Sequence, residues 1–163
     1  MSKVIENVSI VFDLDLDKLD ILNLLDNLKQ NFDLSEEYSL DFGKSDDYSN
    51  INEKYLNCEK FVAFDFKYNE IEFRIALAKY GKFVNLSSID FETNNTNDLL
   101  RVIDILCRIL EPSAVYDYKD PESLEKLKSD SEVEPNKINY WSEKEESWKK
   151  YNYVVGEENK IDE

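Results

Sequence analysis

The sequence predicts an α+β fold, a two-layer sandwich in which two long helices pack on one face of a mostly antiparallel sheet. Two observations carry this. Apolar residues recur at spacings of three and four in two separate stretches, Leu19–Phe32 and Leu99–Leu110, as they do along the buried stripe of a helix. Between them, from Phe61 to Phe91, apolar and polar residues alternate through three runs joined by short turns, the pattern of an antiparallel meander with one buried face. Each stripe and the sheet face needs an apolar partner, and packing them against one another meets all three needs.

Taken in order, Val8–Leu14 mixes Val, Ile and Phe and reads as the first strand, with Asp15 or Asp17 placed to cap the first helix. Ile21, Leu22, Leu24, Leu25, Leu28 and Phe32 form the first helical stripe, with Asp17, Asp20, Asp26 and Lys29 mostly on its solvent side. Tyr38, Leu40 and Phe42 alternate with Ser39 and Asp41 as a short strand. Residues 43–52 read as a polar loop, and Tyr55 and Leu56 belong to its return. In the meander, Val62, Phe64, Phe66 and Tyr68 share one face, Asn69 and Glu70 turn the chain, and Ile71, Phe73, Ile75 and Leu77 face the same way. Tyr80 and Gly81 make the next turn, where glycine is free to take a positive φ, and Phe83–Phe91 is the third strand. Thr96 or Asn97 caps the second helix, whose wide apolar face makes it the more deeply buried, and Pro112 stops it. Ala114–Tyr118 reads as an edge strand, and Asp120–Pro121 as a helix start with Leu124 and Leu127 as a weak stripe. Residues 129–136 read as a loop. Ser142 and Glu145 have capping-box spacing, which predicts a short helix carrying Trp148 and Tyr151 on one face, with Tyr153–Val155 as a last strand. One domain over residues 1–155 is expected, followed by a frayed acidic end at 156–163.

Composition supports a folded core: 42% of the 163 residues are hydrophobic, and ten Tyr and nine Phe supply bulk. Three Gly and three Pro exclude a collagen-like or linker chain. The residues after Met1 form no apolar leader, no run approaches a membrane-spanning length, and Cys58 and Cys107 make no disulfide framework, so a cytoplasmic protein is expected. With 36 acidic and 20 basic residues the net charge is −16. That field disfavours direct binding to nucleic-acid phosphates and to anionic membranes, and it speeds encounter with a basic protein. Residues 13–47 hold eleven acids and three bases and residues 117–147 ten and five, whereas residues 58–91 are neutral.

Absences narrow the chemistry further. Without histidine the chain lacks the commonest general acid/base and zinc ligand, and no Ser-His or Cys-His pair exists. Gly43, Gly81 and Gly156 are too scattered for a phosphate-cradling loop. Asp13, Asp15 and Asp17 begin like a calcium loop, but Lys18 stands where that loop needs glycine and Leu24 where it needs glutamate. No enzyme, no cofactor and no metal is expected. An enzyme would need converging polar groups in a deep pocket, and a homo-oligomeric structural protein an apolar rather than acidic interface.

What the chain does offer is aromatic residues set among acids. Tyr140, Trp141, Glu145, Trp148 and Tyr151 near the C-terminus, and Asp41, Asp46, Asp47 and Tyr48 in the first acidic segment, are the expected partner-binding residues, with Trp and Tyr as rigid amphipathic anchors. The acidic stretches Asp13–Asp17 and Ser35–Asp47, the central strands and the aromatic-acidic segment Trp141–Tyr153 resemble, at the level of class, the small acidic immunity proteins of bacterial toxin systems. That resemblance implies a tight, neutralising contact with one basic toxin, often a nuclease, whose substrate-binding surface the carboxylates cover. The alternative is a phage-type inhibitor or DNA mimic acting on a host nucleic-acid enzyme such as a CRISPR effector, which requires carboxylates arrayed across one face.

Overall fold

Alternation along Ile5–Asp13 (β1) points Ile10 and Phe12 to one side and Val11 to the other, and all three are fully buried. The structure is a computed structural model and describes residues 4–163; Met1–Lys3, the start of the expected domain, lie outside the described residues. Six further strands join β1 in one sheet: β2 (Asp33–Leu40), β3 (Gly43–Ser45), β4 (Phe61–Tyr68), β5 (Ile71–Ala78), β6 (Phe83–Glu92) and β7 (Ala114–Asp117). Their order is β3-β2-β4-β5-β6-β1-β7, and every neighbouring pair is antiparallel. The meander sits at the centre, with Phe64 opposite Ile75 and Leu77 opposite Val84, so its apolar sets share the core face.

Helices α1 (Ile21–Asn31), α2 (Ile51–Asn57) and α3 (Thr96–Leu110) cover that face. The fold is therefore α+β, with a mostly antiparallel sheet and the long helices packed on it. Asp20 caps α1 by accepting the Asn23 N–H at 3.1 Å, while Asp15 caps a separate 3-10 turn at Leu16–Lys18. α3 buries nine residues against four for α1, and ends at Glu111, which takes φ 50 ahead of Pro112. Each large apolar side chain fully buried in this layer contributes roughly 1.5–3 kcal/mol.

The opposite face is mostly open. A short helix, α4 (Leu124–Ser129), covers one corner of it by setting Leu127 against Val11, Ala78, Phe83, Ala114 and Tyr116. Elsewhere this face carries Asp65, Arg74, Ala76, Asn85 and Ser87. Arg74 donates to both Asp65 oxygens at 2.8 and 3.1 Å, a half-exposed pair worth about 1 kcal/mol or less.

Several local expectations are corrected. β2 begins at Asp33 and stops at Leu40, so Phe42 lies in the turn to β3. The expected loop at 43–52 contains β3, a 3-10 turn and the start of α2, and Tyr55 and Leu56 are helical. α4 starts three residues after Pro121, where Ser123 Oγ accepts the Lys126 N–H. Ser142 Oγ does accept the Glu145 N–H at 3.1 Å, but within a turn between two strands, β8 (Lys137–Ser142) and β9 (Ser147–Asn152), with Glu146 at φ 51. A hydroxyl three residues before an N–H serves such a turn as well as a helix start, so the predicted helix is a hairpin. Tyr153–Val155 is not a strand.

Residues 156–163, expected to be frayed, lie against the domain. Asn159 is buried and tied to Asp104 of α3, Ile161 exchanges two hydrogen bonds with Asn97, and Ser142 Oγ donates to Glu163 at 2.5 Å.

Gly81 also acts differently from expectation. The positive φ belongs to Lys82, at 56°. A Cβ at Gly81 would fall 2.3 Å from the Glu122 carbonyl oxygen and 2.4 Å from the Phe83 ring, so glycine is needed for close approach. Gly81→Ala should destabilise the fold by about 1–3 kcal/mol, read as a lower urea midpoint at unchanged slope.

Candidate protein-binding surface

The nine expected partner-binding residues fall at opposite edges of the sheet. Asp41, Asp46, Asp47 and Tyr48 lie at the β2–β3 edge, and Tyr140, Trp141, Glu145, Trp148 and Tyr151 lie on the hairpin beside β7. Five strand spacings separate β2 from β7, about 24 Å. The first acidic segment starts next to the C-terminal third, where Asp13 pairs with Lys128 at 3.1 Å, and α1 then carries it across the helix layer. The nine residues do not form one surface.

At the β2 edge the acids shape the chain. Asp41 takes φ 40 and accepts N–H bonds from Glu59, Lys60 and Phe61 at 2.8, 2.7 and 3.1 Å. The Glu59 N–H leads in holding this carboxyl below its ordinary value, against an opposing desolvation. Asp47 caps the 3-10 turn Tyr48–Asn50, and the Ser49 hydroxyl, at 2.5 Å, leads in holding it low as well. Asp46 is exposed, and its carbonyl accepts the Tyr48 N–H. The Tyr48 ring packs on Tyr38 and Phe64, its hydroxyl donates to the Ser35 carbonyl at 2.6 Å, and burial pushes it up to about 12. The clamp at Asp41 mounts Phe42 at the tip of the turn, 86% exposed with Lys60 Nζ 4.4 Å from its ring centre. Sequence reasoning misses Phe42 as a surface residue because it extends the alternation of Tyr38 and Leu40; the following Gly43 is the available turn signal.

At the other edge the hairpin is fixed to β7 by one backbone bond and two side-chain acceptors. Asn136 donates its N–H to the Val115 carbonyl at 2.7 Å and accepts the Val115 N–H on Oδ1, and Asp117 Oδ2 accepts the Asn139 N–H at 2.8 Å. Ile138 is buried in the main core, and Tyr151 packs against it while donating to Asn159 Oδ1. Trp141 and Trp148 face each other across the strands as an edge-to-face pair at 5.6 Å, and Trp148 is 46% exposed. Tyr140 is half-buried. Glu145 pairs with Lys149, and Glu143 and Glu146 stand exposed in the same turn.

Between Trp148 and the ends of β1 and β7 lies a cavity of about 330 Å³, lined in part by Glu6, Leu99, Asp117, Lys119 and Asn139. Nothing local in the sequence marks it. Burial pushes the Asp117 carboxyl up to about 6, outweighing the Asn139 N–H and Lys119. The folded state thus binds this proton more tightly than the unfolded chain, and stability from this group grows as pH falls through about 6. Asp117→Asn should abolish that gain. The difference between wild type and variant in unfolding free energy should change by about 3 kcal/mol between neutral pH and a pH below the ordinary aspartate range, by urea titration.

A larger hollow of about 680 Å³ lies on the open sheet face over Asp65 and Arg74, whose charges cancel. Cys58 and Cys107 are buried free thiols, and burial pushes Cys107 up to about 11, away from reactivity. Among the described residues no group of three or more His, Cys, Asp or Glu is placed to hold a metal ion, and no helix is long and apolar enough to cross a membrane. No family model, curated protein or solved structure matches the chain.

Proposed function

We propose that this chain is an acidic inhibitory protein that binds one cognate protein, neutralising a toxin with a basic substrate-binding surface, such as a nuclease, by covering that surface. The observation that carries this is the exposed Trp148 on a hairpin fastened to the sheet edge, with Glu143, Glu145 and Glu146 at its turn. A rigid aromatic loses little entropy on docking, and its desolvation supplies the energy at the centre of a small interface. The carboxylates at the rim meet Lys and Arg side chains that would otherwise hold phosphate, and the net charge of −16 speeds the encounter. Mimicry of DNA needs carboxylates across one face. Their spread to opposite edges favours the compact aromatic centre instead.

The test is purification of the untagged chain from its native cells, identification of a stoichiometric protein, and assay of that protein's activity with and without the chain. A basic partner inhibited by wild type, and less so by Trp148→Ala, is expected. No stoichiometric partner, or a partner whose activity is unchanged on binding, would overturn the proposal.

A further inference from the structure

The cavity under Trp148 has an unbalanced charge. Two carboxylates, Asp117 and Glu6, and one ammonium, Lys119, line it. Lys119 is committed to Glu6 by an ion pair, and Asp117 has no ion-pair partner among the described residues. Its hydrogen bonds come from neutral groups of Asn139, the backbone N–H at 2.8 Å and the side-chain amide. Leu99 and Val8 supply apolar wall, and the half-exposed indole of Trp148 stands at the edge.

We propose that this cavity receives one arginine side chain of the protein partner, the guanidinium meeting the Asp117 carboxylate and lying against the Trp148 indole. This rests on the reading of a basic partner given above and names the group by which that partner is held. A guanidinium presents a planar fork that matches a carboxylate with two parallel hydrogen bonds, and it stacks on an indole face. It is also more weakly hydrated than an ammonium, so a partly buried site strips it of water at lower cost. The stem of the arginine covers the apolar wall of Leu99 and Val8. Bound there, the cation cancels the one uncompensated negative charge of the cavity.

Occupancy is linked to protons. The charged groups facing Asp117 are Glu6 from β1 and Lys119 just after β7; Asn139 of β8 and Leu99 of α3 bring no charge. A guanidinium beside Asp117 favours its ionised form, so binding weakens as pH falls below about 6.

The probe is N-acetyl-arginine methylamide, titrated into the isotope-labelled full chain and followed by NMR at the Trp148 indole N–H and the Asn139 and Lys119 amides, with the lysine and citrulline counterparts for comparison. Saturable shifts at those three positions are expected, with arginine bound at least about tenfold more tightly than citrulline. Binding should be lost in Asp117→Asn and in Trp148→Ala, the second being a half-exposed site that leaves the fold in place, and it should weaken below about pH 6. Equal binding of citrulline or lysine, undiminished binding to both variants, or shifts spread evenly over Asp15, Asp17 and Asp20 would overturn the assignment. Arginine binding in this cavity without any inhibited protein in the native cells would leave the pocket standing and remove the inhibitor. An inhibited partner indifferent to Asp117→Asn would do the reverse.

Discussion

Asp104→Ala is expected to lower the unfolding free energy by about 3 kcal/mol and to free the C-terminal segment from α3. Asp104 is 6% exposed and accepts three hydrogen bonds: from the Tyr153 hydroxyl at 2.7 Å, the Asn159 N–H at 3.0 Å and the Asn159 side-chain amide at 2.9 Å. Removing the acceptor strands the Asn159 N–H and leaves the Tyr153 hydroxyl only the Cys107 sulfur, while the Asn159 amide keeps the Val154 and Glu157 carbonyls; each unmet buried donor costs about 1–3 kcal/mol before relaxation. Burial, with Cys107 and Asp104 beside it, holds the Tyr153 hydroxyl protonated well above its ordinary range, so it stays a donor throughout. Asp104→Asn retains one acceptor oxygen but sets an NH2 against a donor, and an intermediate loss of about 1–2 kcal/mol is expected. The measurements are urea unfolding of both variants and hydrogen exchange at Asn159 and Ile161, whose amides should lose protection together. Unchanged midpoints with fast-exchanging tail amides in wild type would show that the network does not fasten the tail.

That network explains why some of the fold is legible in the sequence and some is not. The central strands announce themselves through a period of two, and α1 and α3 through a period near 3.6, because those signals lie within a few residues of one another and are read by the core they build. Asp104 and Asn159 are 55 positions apart, and an Asn after charged residues carries no local mark of burial, so the end of the chain reads as frayed. The hairpin reads as a helix for the opposite reason, since a real local bond, Ser142 to Glu145, serves two kinds of structure. The candidate site is half legible. Its aromatic members stand in one short segment, but the carboxylates beside Trp148 come from β1 and β7, strands far apart in sequence that are brought together by the register that sets Ile10 opposite Asp117 and Asp13 opposite Ala114. Asp41 and Asp47 stand out in the sequence for their charge, yet Asp41 accepts the N–H groups of Glu59, Lys60 and Phe61 at the start of β4 and Asp47 that of Ser49 in its own turn, so both also shape the chain.

Trp148→Ala should weaken binding of the proposed protein partner by about 2 kcal/mol or more, roughly thirtyfold in Kd, chiefly through faster dissociation. The reason is geometric. Trp148 is the large, half-exposed ring of the hairpin and pairs edge-to-face with Trp141 across the strands. Truncation removes that surface together with the wall of the cavity, and it costs the fold no more than about 1 kcal/mol, the worth of one exposed cross-strand aromatic pair. Phe42→Ala is the matched comparison. Phe42 is more exposed and equally well mounted, but it lies at the far edge of the sheet, so its loss should change the same affinity by less than about 0.5 kcal/mol. Calorimetry on both variants, at low and high salt, separates the anchor from the field. The Trp148 effect should persist at high salt, because desolvation of a ring is not screened, while the association rate of wild type and both variants falls alike. If Phe42→Ala proves the damaging change and Trp148→Ala the silent one, the partner docks on the β2 edge, and the carboxylates that steer it are those of the first acidic segment.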